Sequence, residues 1–520
     1  MIAVSDTWRK IQQQFLLPET FLEISCGIGD VGIQDLLDVT GSNEAVFSNT
    51  QNLVESLSEA PATKYATLEH NLWVLDGSRS TEPYIAPGYA NDKGLPASVT
   101  FTLPQVRNVP IPGLTITWSS EHGEYPTAFS VEAKNGDTVV ASATVNDNTS
   151  STTELDLEIV DYDSLTITVH EWCLPDHRVR IDTVSFGHIL TFTKKDVLSF
   201  THEQQGNLNS GELSKNSIEF TLDNVDGRWN PHNPAGIEKY LSERQRVTVR
   251  YGLDVGGSTE WIKAGTFYLS EWKAPANGLE ASFAARDIFE YMLNEPYTGL
   301  ETGTLSQLVS EAFKSAGVPG DFVAVVDPSL DNYTATLTDT YTAAEVVQMC
   351  ANAACCAAWQ DREGVLRIEP INKTMSGYSI GANQSYAHPE VALSKPLKSV
   401  SVAYGTEQKF LLNVGNAGET QTVDNPLVGN AAQAEAVAEW VRDTLELRKT
   451  VSGEYRADPR LDLFDIVSVD SKYGVIVPVA ITDIRYTYSG SFRGNYSGRV
   501  ISGVSSTVLG NFILGQSVLG

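Results

Sequence analysis

The stretch SIEFTLDNVDGRWNPHNP, residues 217–234, gathers short oxygen-bearing side chains that could bind a cation or carry out acid–base catalysis. An EF-hand calcium loop needs oxygen ligands at positions 1, 3, 5 and 12, with glycine at position 6. With Gly227 at position 6, Asp226 falls correctly at position 5, but Leu222 falls at position 1 and Asn233 at position 12. The spacing therefore disfavours a calcium site.

The same stretch offers Asp223 and Asp226 as a carboxylate pair for glycoside hydrolysis. Such a pair needs two acids about 5 to 10 Å apart across a cleft, one of them with a raised pKa. A run of Asp-Asn-x-Asp-Gly is more typical of Asx turns, whose short side chains accept hydrogen bonds from the nearby backbone. We therefore predict a strand-to-loop turn in which Trp229 shapes a subunit contact. A glycoside or peptidoglycan hydrolase is kept as a rival prediction.

Other catalytic or metal-binding patterns are missing from the sequence. It contains no G-x-S-x-G, H-E-x-x-H or Walker A motif, and its eight histidines are scattered. Cys350, Cys355 and Cys356 lie in an apolar helical run without the paired C-x-x-C or histidine ligands of a zinc site. We predict a protein that is not an enzyme, with no catalytic residue, no cofactor and no metal.

Composition and charge narrow the class of protein further. The 520 residues are 42% hydrophobic and 19% charged, with 40 glycines and 20 tyrosines, which is typical of several folded, β-rich domains. The formal net charge of −29 disfavours stable nucleic-acid binding, because such binding relies on cations that neutralise phosphates. No signal peptide and no membrane-spanning segment is recognisable. Cysteine usage indicates synthesis in a reducing compartment.

The hydrophobic patterning predicts a mainly β protein with α/β inserts. Short alternating runs dominate, Asn135-Gly136 is a hairpin signal, and Gly317 follows a run with helical spacing as a C-cap. VTVRYG at 247–252 and VSVAYG at 400–405 are a local echo that suggests two similar modules. The predicted units are an N-terminal β-rich segment (1–83), an inserted β-sandwich or jelly roll (84–187), a first barrel (188–299), a small α/β insert (300–392), a second barrel (393–503) and a C-terminal docking tail (504–520).

The predicted tail contains the run STVLGNFILGQSVLG, in which Leu-Gly occurs three times. Alternating apolar and glycine residues cannot form a core alone, so we expect the tail to dock on another chain, for example by strand addition. The predicted assembly contacts within it are Leu509, Phe512, Leu514 and Leu519.

Six segments occur in an order that resembles a known family. They are SIEFTLDNVDGRWNP, RVTVRYGL, WIKAGTFYLSEWKA, ASFAARDIFEYM, QDREGVLRIEPI and DPRLDLFDIVSV. Over residues 188–500 they resemble the tail-tip and baseplate hub proteins of tailed bacteriophages and related contractile particles, including the N-terminal hub region of tail-associated lysins. Residues 1–80 are also similar to the first segment of the versions from Gram-positive phages.

The resemblance implies a structural homotrimer in which two hub-type β-barrels per chain form a pseudo-six-fold ring, matching a hexameric tail tube to a three-fold tip. Implied partners are distal tail or tail-tube proteins, the tape-measure protein, and tip or fibre proteins. The implied location is the virion, after synthesis in the host cytoplasm. DNA would pass an acidic ring without sticking to it. Many relatives continue into a peptidase, lysozyme or fibre domain, whereas this sequence stops soon after Gly503, so lytic activity is not implied.

Residues 84–187 are similar to an inserted discoidin-like or carbohydrate-binding jelly roll. Sugar-binding modules stack aromatic rings on sugar faces, and the candidate rings here are Trp118, Tyr125 and Trp172. The alternative is that these rings fill the sandwich core, because each aromatic side chain buries about 150 to 250 Å². A rival function is therefore a carbohydrate-binding adhesion protein that acts on a host surface glycan through residues 84–187.

Overall fold

The computed structural model describes residues 1–14, 19–30, 33, 36–41, 84–86, 97–119, 121–274, 278–319, 322–372, 374–405, 408–470 and 476–501. Strands dominate these residues, which confirms the predicted mainly β class. The described helices are α1 (Asp6–Gln12), α2 (Leu305–Ser315), α3 (Ala343–Ala353) and α4 (Ala431–Leu445). In this part of the chain, no helix combines the length and the apolar character needed to cross a bilayer.

The strands in the first half of the chain are β1 (Thr20–Gly29), β2 (Asp38–Gly41), β3 (Tyr84–Ile85), β4 (Ala97–Arg107), β5 (Ile111–Trp118), β6 (Pro126–Asn135), β7 (Thr138–Val145), β8 (Thr152–Ile159), β9 (Tyr162–Trp172), β10 (Arg180–Ser185), β11 (Gly187–Phe192), β12 (Val197–Gln205), β13 (Lys215–Asp223), β14 (Arg246–Asp254), β15 (Thr259–Lys273) and β16 (Glu280–Arg286). Those in the second half are β17 (Thr302–Thr304), β18 (Ala324–Val326), β19 (Thr334–Thr336), β20 (Ala357–Gln360), β21 (Leu366–Glu369), β22 (Met375–Ile380), β23 (Glu390–Leu393), β24 (Leu397–Tyr404), β25 (Gln408–Asn413), β26 (Glu419–Val423), β27 (Lys449–Tyr455), β28 (Ile466–Asp470), β29 (Ile476–Tyr488) and β30 (Phe492–Val500).

Thirteen of these strands form one large sheet. Its main path is β11-β1-β14-β15-β16-β13-β12-β29-β30-β27-β23, with β28 paired to β29 and β22 paired to β28. The two separate barrels predicted from the sequence are wrong: β12 pairs with β29, from Phe200 opposite Tyr488 to Gln205 opposite Asp483, and the described strands form no closed barrel. Alternation along each strand predicted the strands themselves, but pairing between distant strands depends on tertiary packing.

Residues around the predicted sandwich form two sheets with the strand orders β3-β10-β5-β8 and β2-β4-β9-β6-β7. Apolar side chains from both sheets share one core, in which the rings of Trp118 and Phe129 lie 5.1 Å apart. This arrangement is a two-layer β-sandwich, and β2 adds to it a strand from the N-terminal side. The jelly-roll topology stays a prediction.

The helices α2, α3 and α4 share a second core with the small sheets β17-β19, β18-β21-β20 and β25-β24-β26. Each of α2 and α3 begins with a capping box. The hydroxyls of Thr304 and Thr342 accept from the backbone N–H of Gln307 and Glu345, whose side chains accept from the backbone N–H of the threonines. Gly317 has φ +62 after α2, which confirms the predicted C-cap.

The sandwich joins the large sheet at a neck formed by the end of β1 and the start of β11. Gly29 lies opposite Gly187, and a Cβ atom on either residue would lie 2.1 Å from a carbonyl oxygen of the other strand. Gly187 also has φ +145, which favours glycine. Beside the neck, Arg107 Nε donates to Asp30 Oδ2 at 2.5 Å, and the Asp30 side chain is buried. The chain thus leaves and re-enters the large sheet at one point.

Candidate functional site: a buried polar junction

The most unusual charged group in the described residues is Arg362, on the turn between β20 and β21. Its side chain is 0% exposed. The guanidinium donates hydrogen bonds to the carbonyl oxygens of Pro459 and Leu461, and its Nε lies 3.5 Å from Asp462 Oδ1. It also lies 5.9 Å from the ring centroid of Tyr486. A buried cation is costly without partners, so these contacts bind the turn firmly to the segment before β28.

His202 of β12 lies beside this arginine and is also fully buried. Its Nδ1 is 2.6 Å from the Tyr251 hydroxyl and its Nε2 is 2.7 Å from Asn216 Oδ1. Asn216 Oδ1 can only accept, so Nε2 carries the proton and Nδ1 accepts from the tyrosine. Burial, with the nearby positive charge of Arg362, lowers the pKa of His202 to about 3. The imidazole is therefore neutral near pH 7 and joins β12, β13 and β14.

Tyrosine hydroxyls satisfy the backbone of the segment that binds Arg362. The Tyr486 hydroxyl lies 3.0 Å from the carbonyl oxygen of Asp458 and 3.1 Å from that of Leu461. Gln204 Nε2 donates to Asp462 Oδ1 at 3.1 Å, across 258 residues of sequence. These contacts bind the loop before β28 to β29 and β12.

A second set of buried contacts binds β20 to the first half of the large sheet. Gln360 donates to the carbonyl oxygen of Thr266 at 2.8 Å and accepts from Ile288 N–H at 2.6 Å. Asp287 accepts from the backbone N–H of Asn216 at 2.8 Å. Burial raises the pKa of Asp287 to about 7, although the charge of Arg286 and the N–H groups of Asn216 and Phe289 oppose the shift. We call the two sets together the polar junction.

The polar junction can hold segments in place, but its side chains do not face solvent. His202, Asp287 and Arg362 are each no more than 1% exposed, so none of them can reach a dissolved substrate. Among the described residues, no cluster of three or more His, Cys, Asp or Glu side chains is suited to hold a metal ion. The chemistry of this arrangement is hydrogen bonding that fixes one relative position of three distant segments.

An open groove with a volume of about 550 Å³ lies near the junction, between the strands β1, β11, β14 and β15 and the turn at Gly364. Four of its charged side chains form two ion pairs. Arg250 Nε donates to Glu23 at 2.5 Å, and Lys263 Nζ donates to Glu363 at 2.9 Å. The first pair joins β14 to β1 within the sheet, and the second joins β15 to the β20–β21 turn.

The acidic loop after β13 is a run of turns, as predicted. Asp223, Asp226, Asn230 and Asn233 each accept, through a side-chain oxygen, from the backbone N–H two residues on, at 2.9 to 3.1 Å. The backbone N–H groups of four residues also donate to the carbonyl oxygen three residues earlier; they are Gly227, Asn230, Asn233 and Gly236. The two aspartates therefore serve the loop's own backbone, which confirms the Asx-turn interpretation.

Trp229 anchors this loop in the core of the large sheet. It is 1% exposed, and its ring centroid lies 4.9 Å from that of Phe283 and 6.0 Å from that of Phe192. A side chain in this position can shape a subunit contact only through the loop that it holds. That role stays a prediction.

The structure brings the candidate sugar-binding rings close together but does not expose them equally. Trp118 is 0% exposed, its ring lies 6.5 Å from that of Trp172, and its Nε1 donates to Thr153 Oγ1 at 2.9 Å. Trp172 is 8% exposed and Tyr125 is half-buried. Trp118 belongs to the sandwich core, which was the alternative interpretation, and offers no face to a sugar. Glycan binding by the module stays a prediction.

The remaining predicted contacts, Leu509, Phe512, Leu514 and Leu519, lie outside the described residues. The residues that sequence reasoning missed are Arg362, His202 and Gln360. QDREG has the composition of an exposed turn, and no local pattern indicates that its arginine meets a loop about a hundred residues later.

Comparisons with known proteins give matches only among solved structures. No protein-family model and no curated sequence matches the chain. The fold is similar to a tail protein from Neisseria meningitidis, with 11% identity, a TM-score of 0.45 and coverage of 60% of this chain and 94% of that one.

Two further structures match with lower TM-scores. The 43 kDa tail protein of prophage MuSo2 from Shewanella oneidensis is 14% identical, with a TM-score of 0.43. That match covers 60% of this chain and 95% of the MuSo2 chain. An Escherichia coli component of the type VI secretion system is 13% identical, with a TM-score of 0.34. That match covers 60% of this chain and 76% of the Escherichia coli chain. These three structures are two tail proteins and a secretion-system component. The likeness concerns the fold of about three-fifths of the chain.

Proposed function

We propose that this chain is a structural hub protein at the tail tip or baseplate of a phage or phage-like particle, and that it works without catalysis. The observation that carries the proposal is the convergence of five of the six resembling segments on the polar junction. Tyr251, Thr266, Asp287, Arg362 and Leu461 come from five of the six, and all take part in the buried contacts.

The sixth segment, SIEFTLDNVDGRWNP, begins next to Asn216, which contacts both His202 and Asp287. The segments behind the resemblance are therefore not independent surface patterns. Together they specify one joint, and a joint of this kind suits a part that must keep its shape inside an assembly.

The large sheet supports the same proposal. Strands from both predicted modules are continuous through the β12–β29 pair, so the two halves cannot rotate against each other without breaking a hydrogen-bonded ladder. A subunit built in this way can transmit a fixed geometry from one neighbour to the next.

In the proposed assembly the chain is a homotrimer that adapts a hexameric tube to a three-fold tip. Its partners are tail-tube, tape-measure and tip or fibre proteins. The net charge of −29 keeps DNA moving past the ring. We place the protein in the virion.

The test is the mass and shape of the purified chain. Native mass spectrometry across a concentration series should show a species of three times the 56.6 kDa chain mass, and negative-stain images should show a three-fold ring. A chain that stays monomeric up to about 100 μM, both alone and mixed with purified tail-tube protein, would contradict the trimeric hub.

A further inference from the structure

Two short strands of this chain each present two exposed apolar side chains at alternate positions. On β23, Val391 and Leu393 are each 65% exposed. At β18, Val323 is 55% exposed and Val325 is 40% exposed. Residues two positions apart in an extended strand lie on the same face, so each strand presents a small apolar face to solvent.

Both strands also have a free edge among the described strands. β23 pairs only with β27, and β18 pairs only with β21. A free edge leaves backbone N–H and C=O groups without ladder partners, and proteins shield such edges or use them to bind another strand. Within one chain, β23 belongs to the large sheet and β18 to the sheet β18-β21-β20, so the two edges do not cover each other.

We propose that β23 of one copy of this chain adds to β18 of a second copy as a parallel strand, with Val391 beside Val323 and Leu393 beside Val325. The inference deepens the proposed function and rests on it, because it names the surfaces through which copies of the hub bind each other. A contact between two different surfaces of identical chains continues from copy to copy and can close into a ring. A closed ring of three copies leaves no β23 or β18 edge open.

Backbone hydrogen bonds determine which groups face the free edge of β18. Leu366 lies level with Ala324 in the parallel pair of β18 and β21, and its N–H donates to the carbonyl oxygen of Val323 at 3.1 Å. The backbone of Val323, and of each second residue after it, therefore faces β21. The N–H and C=O groups of Ala324 and Val326 face the free edge.

The backbone of β23 shows the same alternation. Ser394 N–H donates to the carbonyl oxygen of Arg448 at 2.9 Å, one position beyond the antiparallel pair of Leu393 and Lys449. The even-numbered residues of β23 therefore bond to β27. The N–H and C=O groups of Val391 and Leu393 face the free edge.

These two sets of backbone groups are complementary in a parallel ladder. The proposed register places Ala324 level with Ala392. The N–H of Ala324 then donates to the carbonyl oxygen of Val391, and its carbonyl oxygen accepts from the N–H of Leu393. The four exposed apolar side chains share one face of this ladder, on strands about 4.8 Å apart. An antiparallel ladder between the same groups would place the two apolar pairs on opposite faces.

Charged residues at the strand ends are complementary in the same register. Lys395 pairs with Glu419 at the surface, where its side chain is 77% exposed, and it comes level with Asp327. Glu390 comes level with Phe322, which lines the open groove together with three cationic and two anionic side chains. Opposite charges on either side of an apolar contact favour one direction and register over others.

Charge placed on the apolar face tests the surface. In the full chain, V391D/L393D should weaken self-association at least about tenfold in sedimentation velocity, because carboxylates would lose water beside Val323 and Val325. The matched control is Leu411→Asp, which alters a side chain that is 55% exposed on β25 and should leave self-association unchanged. Thermal unfolding of both variants should match the wild type, because all three replaced side chains are exposed.

The outcomes separate this inference from the proposed function. A wild-type trimer that V391D/L393D leaves intact would overturn the strand pairing while the trimeric hub stands. A wild-type chain that stays monomeric, both alone and with tail-tube protein, would overturn the two together.

Cysteine pairs test the register and the chain of origin. A mixture of Val325→Cys chains and Leu393→Cys chains should form a disulfide between chains, mapped by mass spectrometry, because level residues on neighbouring strands lie within disulfide range. The matched mixture of Val325→Cys and Ala392→Cys chains should not, because Ala392 faces the other side of its strand. Equal yields from the two mixtures, including no disulfide in either, would contradict the register.

Discussion

The large sheet and the sandwich both bury aromatic rings, but they differ in what else they bury. The polar junction of the large sheet encloses Arg362 and His202 with their hydrogen-bond partners. The interior of the sandwich is apolar around Trp118, Phe129 and Ile167. The carboxylate that it buries, Glu124, accepts from Trp172 Nε1 at 2.9 Å and lies beside the half-exposed His177. Polar groups in a low-dielectric interior are satisfied in few arrangements, whereas apolar side chains tolerate small shifts. We infer that the junction fixes positions and the sandwich core mainly supplies stability.

The halves of the large sheet are joined to each other more extensively than the sandwich is joined to the sheet. Within the large sheet, the halves are joined by a strand ladder and buried side chains. The sandwich is joined through the two strands of the neck, a buried carboxylate at Asp30 and contacts such as Thr115 Oγ1 to the carbonyl oxygen of Gly187 at 3.0 Å. Damage to one region should therefore leave much of the other intact.

Replacing Arg362 should have the largest effect. Arg362→Met leaves the Pro459 carbonyl without the arginine donor, takes one of two donors from the Leu461 carbonyl and removes the cation beside Asp462. We expect the free energy of unfolding of the large sheet to fall by about 3 to 5 kcal/mol. Urea denaturation followed by tryptophan fluorescence measures this loss.

The matched control is Arg493→Met. Arg493 is 65% exposed and lies 3.8 Å from Glu454, so its loss should cost no more than about 1 kcal/mol. Equal losses in the two variants would show that the junction does not stabilise the sheet.

Replacing Trp118 should cause a loss of similar size that is confined to the sandwich. Trp118→Ala removes a fully buried ring, which costs about 3 to 5 kcal/mol in a well-packed core. Hydrogen exchange should rise across β5, β6 and β9 while β12 and β29 keep their protection. Loss of protection in both regions together would contradict the separation of the two cores.

The pH dependence of stability should show the smallest of the three effects. The folded-state pKa of His202 lies at about 3, below its ordinary value. Between that pH and about pH 6.5, the imidazole is protonated in the unfolded chain but neutral in the folded chain. The stabilisation from neutral His202 is present above about pH 6.5 and is lost as the pH falls, by about 1.4 kcal/mol at pH 5.5.

The measurement compares the wild type with His202→Asn at pH 7.5 and pH 5.5. Asp287, with a pKa raised to about 7, shifts stability in the opposite direction over this range, but it does so in both proteins and cancels in the difference. The wild type should lose about 1.4 kcal/mol more than the variant. Parallel pH profiles would mean that His202 accepts a proton in the folded state.

Much of the local structure could be predicted because it depends on residues close together in sequence. The Asx turns after β13 follow from short polar side chains, and the capping boxes of α2 and α3 follow from threonine three residues before glutamine or glutamate. The hairpin near Asn135 was also predicted. Asn135 pairs with Thr138, however, so Gly136 and Asp137 form the turn, and only Gly136 of that hairpin has positive φ.

The pairing of distant strands could not be predicted from alternation alone. VTVRYG lies in β14 of the large sheet, whereas VSVAYG lies in β24, which pairs with β25 and β26 near α4. The echo therefore does not mark equivalent places. The burial of Arg362 depends on where the loop before β28 lies, and no nearby residue specifies that position.

The neck makes the sandwich exchangeable. Its two ends meet at Gly29 and Gly187, on neighbouring antiparallel strands, so a two-residue hairpin turn is enough to close the large sheet in its absence. A different module could be inserted at the same place without changing the path of any other strand. The surface that such a protein displays to its surroundings can thus diversify while the frame that carries it stays constant.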